Sequence, residues 1–354
     1  VCTGIEEKMG LHGSPTCAMA LGSKGKCRAT LVGEKNKGLP IMFQMMNKAR
    51  LMTSAQGLAC ASSAYLYALD YARNRIQGVL PGDPEKKPVQ IIRHPDIRRM
   101  LLTMKAYTEG MRSFLCYIGH LEDLKTISKD ASDKAGLQGL IDILTPVAKG
   151  YVTDRAVDVC NMGIQIFGGY GYTSEFPAEQ LLRDVRVTAI YEGTNGIQAI
   201  DLLSRKIAKN NSRMFMNLMD KIKEIVVGIP EDDELRELAA RLEDALGVLE
   251  QAVKKLCQAV SGQDILTALA HATPLLEVTG DIVMAWMLLW RAKVAQAGLA
   301  NKVKSRDKDF YQGQIQSARF FISSILPVTI GKMGSILNFS GSVIDIDDAA
   351  LGGH

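Results

Sequence analysis

A single apolar stripe constrains the fold of this chain more than any other feature. Between residues 97 and 121, large apolar side chains recur in alternating steps of three and four without a break. This period places them on one face of a long helix, and a helix with one continuous apolar face packs in a bundle. Burial fully explains the spacing, so we interpret its methionine and aromatic side chains as core rather than as a cofactor-binding surface. The stripe consists of Ile97, Met100, Met104, Tyr107, Met111, Phe114, Ile118 and Leu121.

The segments on either side of this stripe are also helical in pattern. Residues 44–75 are rich in Ala, Met and Leu, and the glycine at position 78 ends the segment. A second stripe runs from Leu137 to Ile166 and is interrupted by Asp158, where one face of the helix should be less dry. Short loops between long helices favour antiparallel neighbours. The sequence therefore predicts a mainly α fold with an up-down four-helix bundle over residues 38–208.

A second helical region follows a polar boundary. Turn-forming residues cluster at 209–212 and 228–233, and apolar stripes then resume. No group in this region suggests chemistry, so by exclusion we expect it to serve packing or oligomer contacts. The sequence predicts an extra helical C-terminal domain over residues 209–354, and its Gly- and Asp-rich end, from residue 340, should be a flexible tail.

The first 37 residues differ from everything after them. Glycines punctuate short runs, and the runs 16–21 and 27–32 have the composition of β-strands. Two or three strands cannot stand alone. The chain also starts at Val1 rather than Met, in what reads as strand. We therefore expect a short β remnant, the end of a truncated β-domain, with an N-terminal part missing.

Composition excludes several classes of function. The 42 basic and 38 acidic residues give a formal net charge of +4, without the excess that nucleic-acid binders use. The seven cysteines form no CxxC pair and the five histidines no HxxxH pattern, so we expect reduced thiols in a cytoplasmic protein and no metal site. The run Ile282–Trp290 is too short to cross a bilayer, so no membrane span is predicted.

The hexapeptide from Tyr191 to Gly196 carries the clearest candidate for chemistry. Glu192 follows an apolar approach and precedes Gly193 and Thr194, so a carboxylate lies beside an open backbone that a ligand can reach. This is a reasonable setting for a general base. The alternative is that Glu192 begins a helix, because acidic residues are favoured near helix N-termini. The local sequence alone favours that alternative.

Three further segments have both a functional and a structural interpretation. The turn from Gln165 through Gly168 and Gly169 could hold a pyrophosphate on backbone N–H groups, or could be an ordinary glycine C-cap. Arg75, at the end of the first long helix, could reach a phosphate or merely suit the helix dipole. Arg50 is a cation in an apolar neighbourhood. The adjacent Arg183–Asp184 is usually a structural ion pair.

Taken jointly and in this order, these segments resemble the C-terminal half of the acyl-CoA dehydrogenases, from about Ile5 to Ile207. The pattern is most similar to the long branch that includes 3-methylmercaptopropionyl-CoA dehydrogenases, which carries an extra C-terminal helical domain. The segments that carry the resemblance are Met46-Asn47-Lys48-Ala49-Arg50, Tyr71-Ala72 with Arg75-Ile76-Gln77-Gly78, His94-Pro95-Asp96-Ile97-Arg98-Arg99-Met100-Leu101, and Tyr191-Glu192-Gly193-Thr194.

The resemblance implies an FAD-dependent oxidoreductase that introduces an α,β double bond into an acyl-CoA thioester. Glu192 would remove the α-proton while a hydride passes to the flavin, and Arg50 and Gly193 would contact the substrate. It also implies a homo-oligomer and, as partner, an electron-transferring flavoprotein. Residues implied to contact FAD are Arg75, Gln165, Gly168, Gly169, Thr194 and Gln198.

Two departures from the shorter family members weaken the adenine-side assignments. Ile76-Gln77 replaces a threonine-phenylalanine pair, and Pro95 stands where a glutamine often follows the histidine. An alternative from a different class also stays open. Because much of the flavin pocket would lie outside this chain, the chain as expressed could be a flavin-free helical assembly module, inactive by itself.

Overall fold

The computed structural model describes residues 1–262, 264–301 and 303–353. Its N-terminal segment holds one exposed antiparallel pair, β1 (Cys2–Ile5) and β2 (Cys17–Met19). The prediction of a strand at residues 27–32 is wrong, because this run is exposed and has no regular structure. A strand needs a neighbour for its backbone N–H and C=O groups, and no described strand pairs with this run.

Long helices dominate the next part of the chain. A π-helical turn over residues 148–152 joins α3 (Ala131–Val147) and α4 (Thr153–Phe167) into one continuous helix. A second π-helical segment, residues 201–207, extends α6 (Asn195–Ile200). The first long helix packs against the second and against α4, while α6 and its extension pack against α3 and the π-helical turn. The helices are α1 (Gly38–Asn74), α2 (Pro95–Ile127), α3 (Ala131–Val147), α4 (Thr153–Phe167), α5 (Ala178–Arg186) and α6 (Asn195–Ile200).

The stripe between residues 97 and 121 is the buried face of α2, as its period predicts. Ile97 is half-buried and the other seven members are buried, with Met104, Met111 and Phe114 fully so. The mainly α fold class is therefore confirmed. Between α1 and α2 the chain forms a small hairpin that the sequence did not indicate, β3 (Ile76–Val79) with β4 (Pro88–Gln90).

Arg183 and Asp184 hold the N-terminal segment against α5 instead of pairing with each other. Arg183 pairs with Glu179, one turn earlier in α5, at 2.6 Å, and donates to the Met9 carbonyl at 3.0 Å. Asp184 accepts the Leu11 backbone N–H at 2.6 Å. The local interpretation of the two residues as an ion pair with one another is wrong, because each has a partner elsewhere.

The C-terminal helices surround one central member, α10, of which most residues are buried. It packs against α8, α11 and α12, and also against α2 and α6, so one hydrophobic core runs through both helical regions. The domain boundary at residue 208 and the flexibility of the tail stay predictions. The helices are α7 (Arg213–Val227), α8 (Arg236–Ser261), α9 (Ile265–Ala270), α10 (Ala272–Leu299), α11 (Ser305–Phe320), α12 (Leu326–Leu337) and α13 (Ser342–Asp345).

Among the residues that the structure describes, two helices are long and apolar enough to cross a membrane, Ala272–Leu299 and the continuous helix Ser305–Leu337. The first of them contains the apolar run Ile282–Trp290 and extends beyond it at both ends, because a polar residue interrupts an apolar run without ending a helix. In the first helix, 83% of the most apolar window lies buried inside the protein, as in a core helix. The absence of a membrane span stays a prediction.

Candidate functional site

Glu192 lies in a tight turn before α6, not at the start of that helix. The N-cap of α6 is Thr194, and the turn places Glu192 and Gly193 in left-handed backbone conformations, with φ of +57° and +85°. A left-handed conformation is costly for a glutamate, by roughly 1–2 kcal/mol, and needs support from its surroundings. The local interpretation of Glu192 as a helix-opening residue is therefore wrong. Its side chain is half-buried.

Side-chain donors hold both carbonyl groups of this turn. The Gln198 amide Nε2 donates to the Glu192 carbonyl at 3.3 Å and to the Gly193 carbonyl at 3.2 Å. The Lys149 ammonium donates to the Gly193 carbonyl at 2.7 Å. On the other side, the Tyr191 hydroxyl donates to Gln56 of α1. The strained turn is thus fixed from three helical segments at once.

Sequence reasoning did not identify Lys149 as a residue of the site. It lies in the π-helical turn, is completely buried, and donates to Asn195 Oδ1 at 2.8 Å in addition to the Gly193 carbonyl. A signal was available, because this lysine stands in the otherwise apolar run from Val147 to Val152, apart from a glycine. Both of its partners, however, lie more than 40 residues further along the chain.

Asn195 joins the start of α6 to the start of α4. Its Nδ2 donates to Asp154 Oδ1 at 2.7 Å, to Thr153 Oγ1 at 2.9 Å and to the Gly150 carbonyl at 3.0 Å. Burial raises the pKa of Asp154, and the hydrogen bond from Asn195 opposes that effect. The two hydrogens of this amide are shared among the three acceptors, and this buried network leaves α6 little freedom to move relative to the π-helical turn.

The electrostatics of Lys149 indicate which other charges lie nearby. Burial lowers its pKa to about 8, Asp154 and Glu192 raise it, and Arg50 lowers it further. Arg50 is itself buried in α1, with its guanidinium 3.4 Å from Asp201. Its Nε atom is buried and has no hydrogen-bond partner among the described residues. Five of the predicted site residues therefore gather around α6 and its turn: Glu192, Gly193, Gln198, Arg50 and Thr194, the last of them exposed at the cap.

The remaining predicted site residues form a second group at the other end of α4. The Arg75 guanidinium lies over the Tyr170 ring, 5.6 Å from its centroid, and its Nε is buried without a partner among the described residues. Gly168 has a φ of +62°, and a Cβ on Gly168 or Gly169 would find no heavy atom within 4 Å. Gln165 is exposed beside them. This is an open glycine turn next to a cation.

The two groups do not meet within one chain. Lys149 and Gly168 lie at opposite ends of a continuous helical stretch, and 19 residues at 1.5 Å per residue separate them by roughly 28 Å. Among the described residues, no group of three or more His, Cys, Asp or Glu side chains comes together. The expectation of no metal site stays a prediction.

Two family models match the chain. One, described as the C-terminal domain of acyl-CoA dehydrogenase, covers residues 36–207, and the other, described as acetyl-CoA dehydrogenase C-terminal like, covers residues 216–347. Together these two sequence matches cover most of the chain and define its class, the C-terminal region of an acyl-CoA dehydrogenase. The chain therefore belongs to the acyl-CoA dehydrogenase family, as the motifs predict.

Individual relatives agree with the family models. A 3-methylmercaptopropionyl-CoA dehydrogenase of Ruegeria pomeroyi is 37% identical over 326 residues, which cover 92% of this chain and 54% of that protein. A broad-specificity linear acyl-CoA dehydrogenase of Mycobacterium tuberculosis is 32% identical, with 99% and 59% covered. The structure of an acyl-CoA dehydrogenase complexed with FAD from Bacillus anthracis matches with a TM-score of 0.73 at 20% identity, with 99% and 58% covered. The chain spans about half the length of the curated relatives it matches.

Proposed function

We propose that this chain is the C-terminal catalytic part of an FAD-dependent acyl-CoA dehydrogenase, in which Glu192 removes the α-proton of an acyl-CoA thioester. The observation that carries the proposal is the left-handed turn at Glu192 and Gly193, whose two carbonyl groups are held by Gln198 and Lys149. A strained and over-determined backbone at a carboxylate is typical of a functional site.

The reaction needs a base and a polarised carbonyl at the same place, because the α-proton of a thioester is only weakly acidic. Glu192 supplies the base from its half-buried carboxylate. Its backbone N–H has no acceptor among the described residues, so it is free to donate to the thioester carbonyl. One residue thus offers both a proton acceptor and a hydrogen-bond donor.

The residues present fit a bound dinucleotide. The unpartnered Nε of Arg75 and the open Gly168–Gly169 turn suit a pyrophosphate, and Gln198 has a buried Oε1 without a partner among the described residues. Bound FAD would supply the hydride acceptor. Gln198 and Thr194 would hold it beside the base, whereas Arg75, Gln165 and the glycines would contact the FAD of a neighbouring subunit, since the two groups lie roughly 28 Å apart.

This arrangement requires a homo-oligomer, and exposed apolar residues near the site support one. Met52 on α1 is 71% exposed, and Ile190 and Ile197, which flank the turn, are each 50% exposed. Apolar surface of this kind marks an interaction site. We propose that a second copy and the further domains of the longer relatives cover it. An electron-transferring flavoprotein as acceptor and a cytoplasmic location, with all seven cysteines free, belong to the same proposal.

The test is Glu192→Gln in the full-length protein. This variant should keep the flavin absorbance band and lose acyl-CoA dehydrogenation, measured with an artificial electron acceptor. The control is Glu175→Gln, at an exposed position, which should turn over like the wild type. Normal turnover by Glu192→Gln would refute the assignment. A purified chain that binds no flavin would instead favour the helical assembly module.

A further inference from the structure

A fully buried lysine next to the proposed base is the least expected feature of the site. Lysine is almost never completely buried unless it is paired. The two close oxygen partners of Lys149 are neutral ones, the Gly193 carbonyl and the Asn195 amide, at 2.7 and 2.8 Å. A residue needed only to fill this part of the core would be a methionine or a leucine, so the ammonium must satisfy another demand.

That demand comes from the turn. Glu192 occupies a left-handed conformation that its side chain disfavours, and the next residue repeats it. A carbonyl held by a cation is held more firmly than one held by a neutral donor. Gln198 reaches the same carbonyl only at 3.2 Å, so the shorter bond is that of Lys149.

We propose that Lys149 is a positioning residue for acyl-CoA oxidation: its buried ammonium holds the Gly193 carbonyl and thereby keeps the carboxylate and the backbone N–H of Glu192 turned toward the same substrate. The catalytic part of this inference rests on the function proposed above. The structural part, that Lys149 holds the turn, does not.

The segment that carries Lys149 is itself firmly placed. Thr153 Oγ1 donates to the Lys149 carbonyl at 2.7 Å, and the Tyr151 hydroxyl donates to Asp281 of α10 at 2.5 Å. The π-helical turn puts one extra residue into the helix, and such turns often occur at functional sites. The lysine therefore points at the Glu192 turn from a backbone that α10 and α4 brace on two sides.

The experiment uses Lys149→Met, which keeps an unbranched side chain one atom shorter and removes the cation. In the ligand-free chain, peptides covering residues 188–200 should exchange amide hydrogens at least about 10-fold faster, while those of α2 stay unchanged. In the full-length enzyme, FAD should remain bound and kcat should fall about 10- to 100-fold, with a smaller change in KM. Lys129→Met, at an exposed position, is the matched control and should change neither quantity.

Each outcome decides the question. Wild-type exchange in residues 188–200, or wild-type kcat, would overturn the proposal. If Lys149→Met does not fold, Lys149→Gln replaces the cation with a neutral donor, and it should still accelerate exchange in the turn and lower kcat. If neither variant folds, Lys149 is a folding residue and the proposal is wrong. A wild-type enzyme that does not oxidise any acyl-CoA would refute the proposed function, whereas the exchange measurement would still report whether Lys149 holds the turn.

Discussion

A methyl group at Gly280 should break the contact between α10 and the π-helical turn. A Cβ at this position would lie 2.0 Å from Cδ2 and 2.2 Å from Cγ of the Tyr151 ring. Tyr151 is buried, and its hydroxyl donates to Asp281 at 2.5 Å, so the ring cannot move away without weakening that bond. Gly280→Ala therefore forces either the tyrosine or α10 to shift.

The expected loss in the free energy of unfolding is the sum of opposing contributions. Overpacking a dense core costs about 1–3 kcal/mol, and overlap with several ring atoms puts this site at the upper end. Replacing glycine by alanine inside a helix stabilises by about 1 kcal/mol. The net loss is about 2 kcal/mol if the Tyr151 hydroxyl keeps its partner. It is about 4 kcal/mol if the hydrogen bond to the Asp281 carboxylate also breaks.

Urea denaturation followed by tryptophan fluorescence measures this loss where it arises, because both tryptophans, Trp286 and Trp290, lie in α10. The control is Gly247→Ala in α8, where a Cβ would meet no heavy atom within 4 Å. That variant should be more stable than the wild type by about 1 kcal/mol. If Gly280→Ala proved as stable as Gly247→Ala, α10 and the π-helical turn could not be in the contact described here.

Two further predictions concern buried charges. Because burial lowers the pKa of Lys149 from 10.5 to about 8, the unfolded chain holds a proton between these values that the folded chain has released. The wild type should therefore gain stability relative to Lys149→Met as the pH rises across that window, measured as urea midpoints at both ends, and an unchanged difference would contradict it. Arg50→Met leaves the buried Asp201 with the more exposed Arg205, 3.6 Å away, as its cation partner, and should lower stability by about 1.5–3 kcal/mol. Lys37→Met, which breaks the exposed pair with Glu34, should lower it by less than about 1 kcal/mol in the same assay, and equal effects would refute the distinction.

The helices could be predicted from the sequence because burial along a helix is a local, periodic property. The apolar stripe of α2 is buried as its spacing requires. In α8 the apolar stripe is likewise buried between Leu238 and Leu256. Strands were harder to predict, because a strand depends on a neighbouring strand for its hydrogen bonds. Residues 27–32 have strand composition without a partner, whereas Ile76–Val79 pairs with β4 although Gly78 suggested only an end of structure.

The residues of the site stay a prediction, and the geometry around them could not be derived from the sequence. The motif identified Glu192, yet its left-handed conformation could not be read from the sequence, because the helix that follows begins only after Thr194. Lys149 was not identified from the sequence for a different reason. It falls between the stripe positions Val147 and Tyr151, so the stripe continues past it, and the partners that explain its charge come from a distant segment.

The C-terminal helices therefore have a more specific part in this structure than packing by exclusion. Two close approaches bring α10 onto the π-helical turn: Gly280 against Tyr151, and Leu276 against Gly150, where a Cβ would lie 2.7 Å from the leucine Cδ1. Lys149 immediately precedes these two contact points in sequence, and its ammonium donates to the Gly193 carbonyl. Any shift of α10 moves the backbone directly after the lysine, and hence the ammonium that holds the Glu192 turn. Substitutions in α10, far from Glu192 in sequence, should for this reason alter the geometry of the proposed base without touching it.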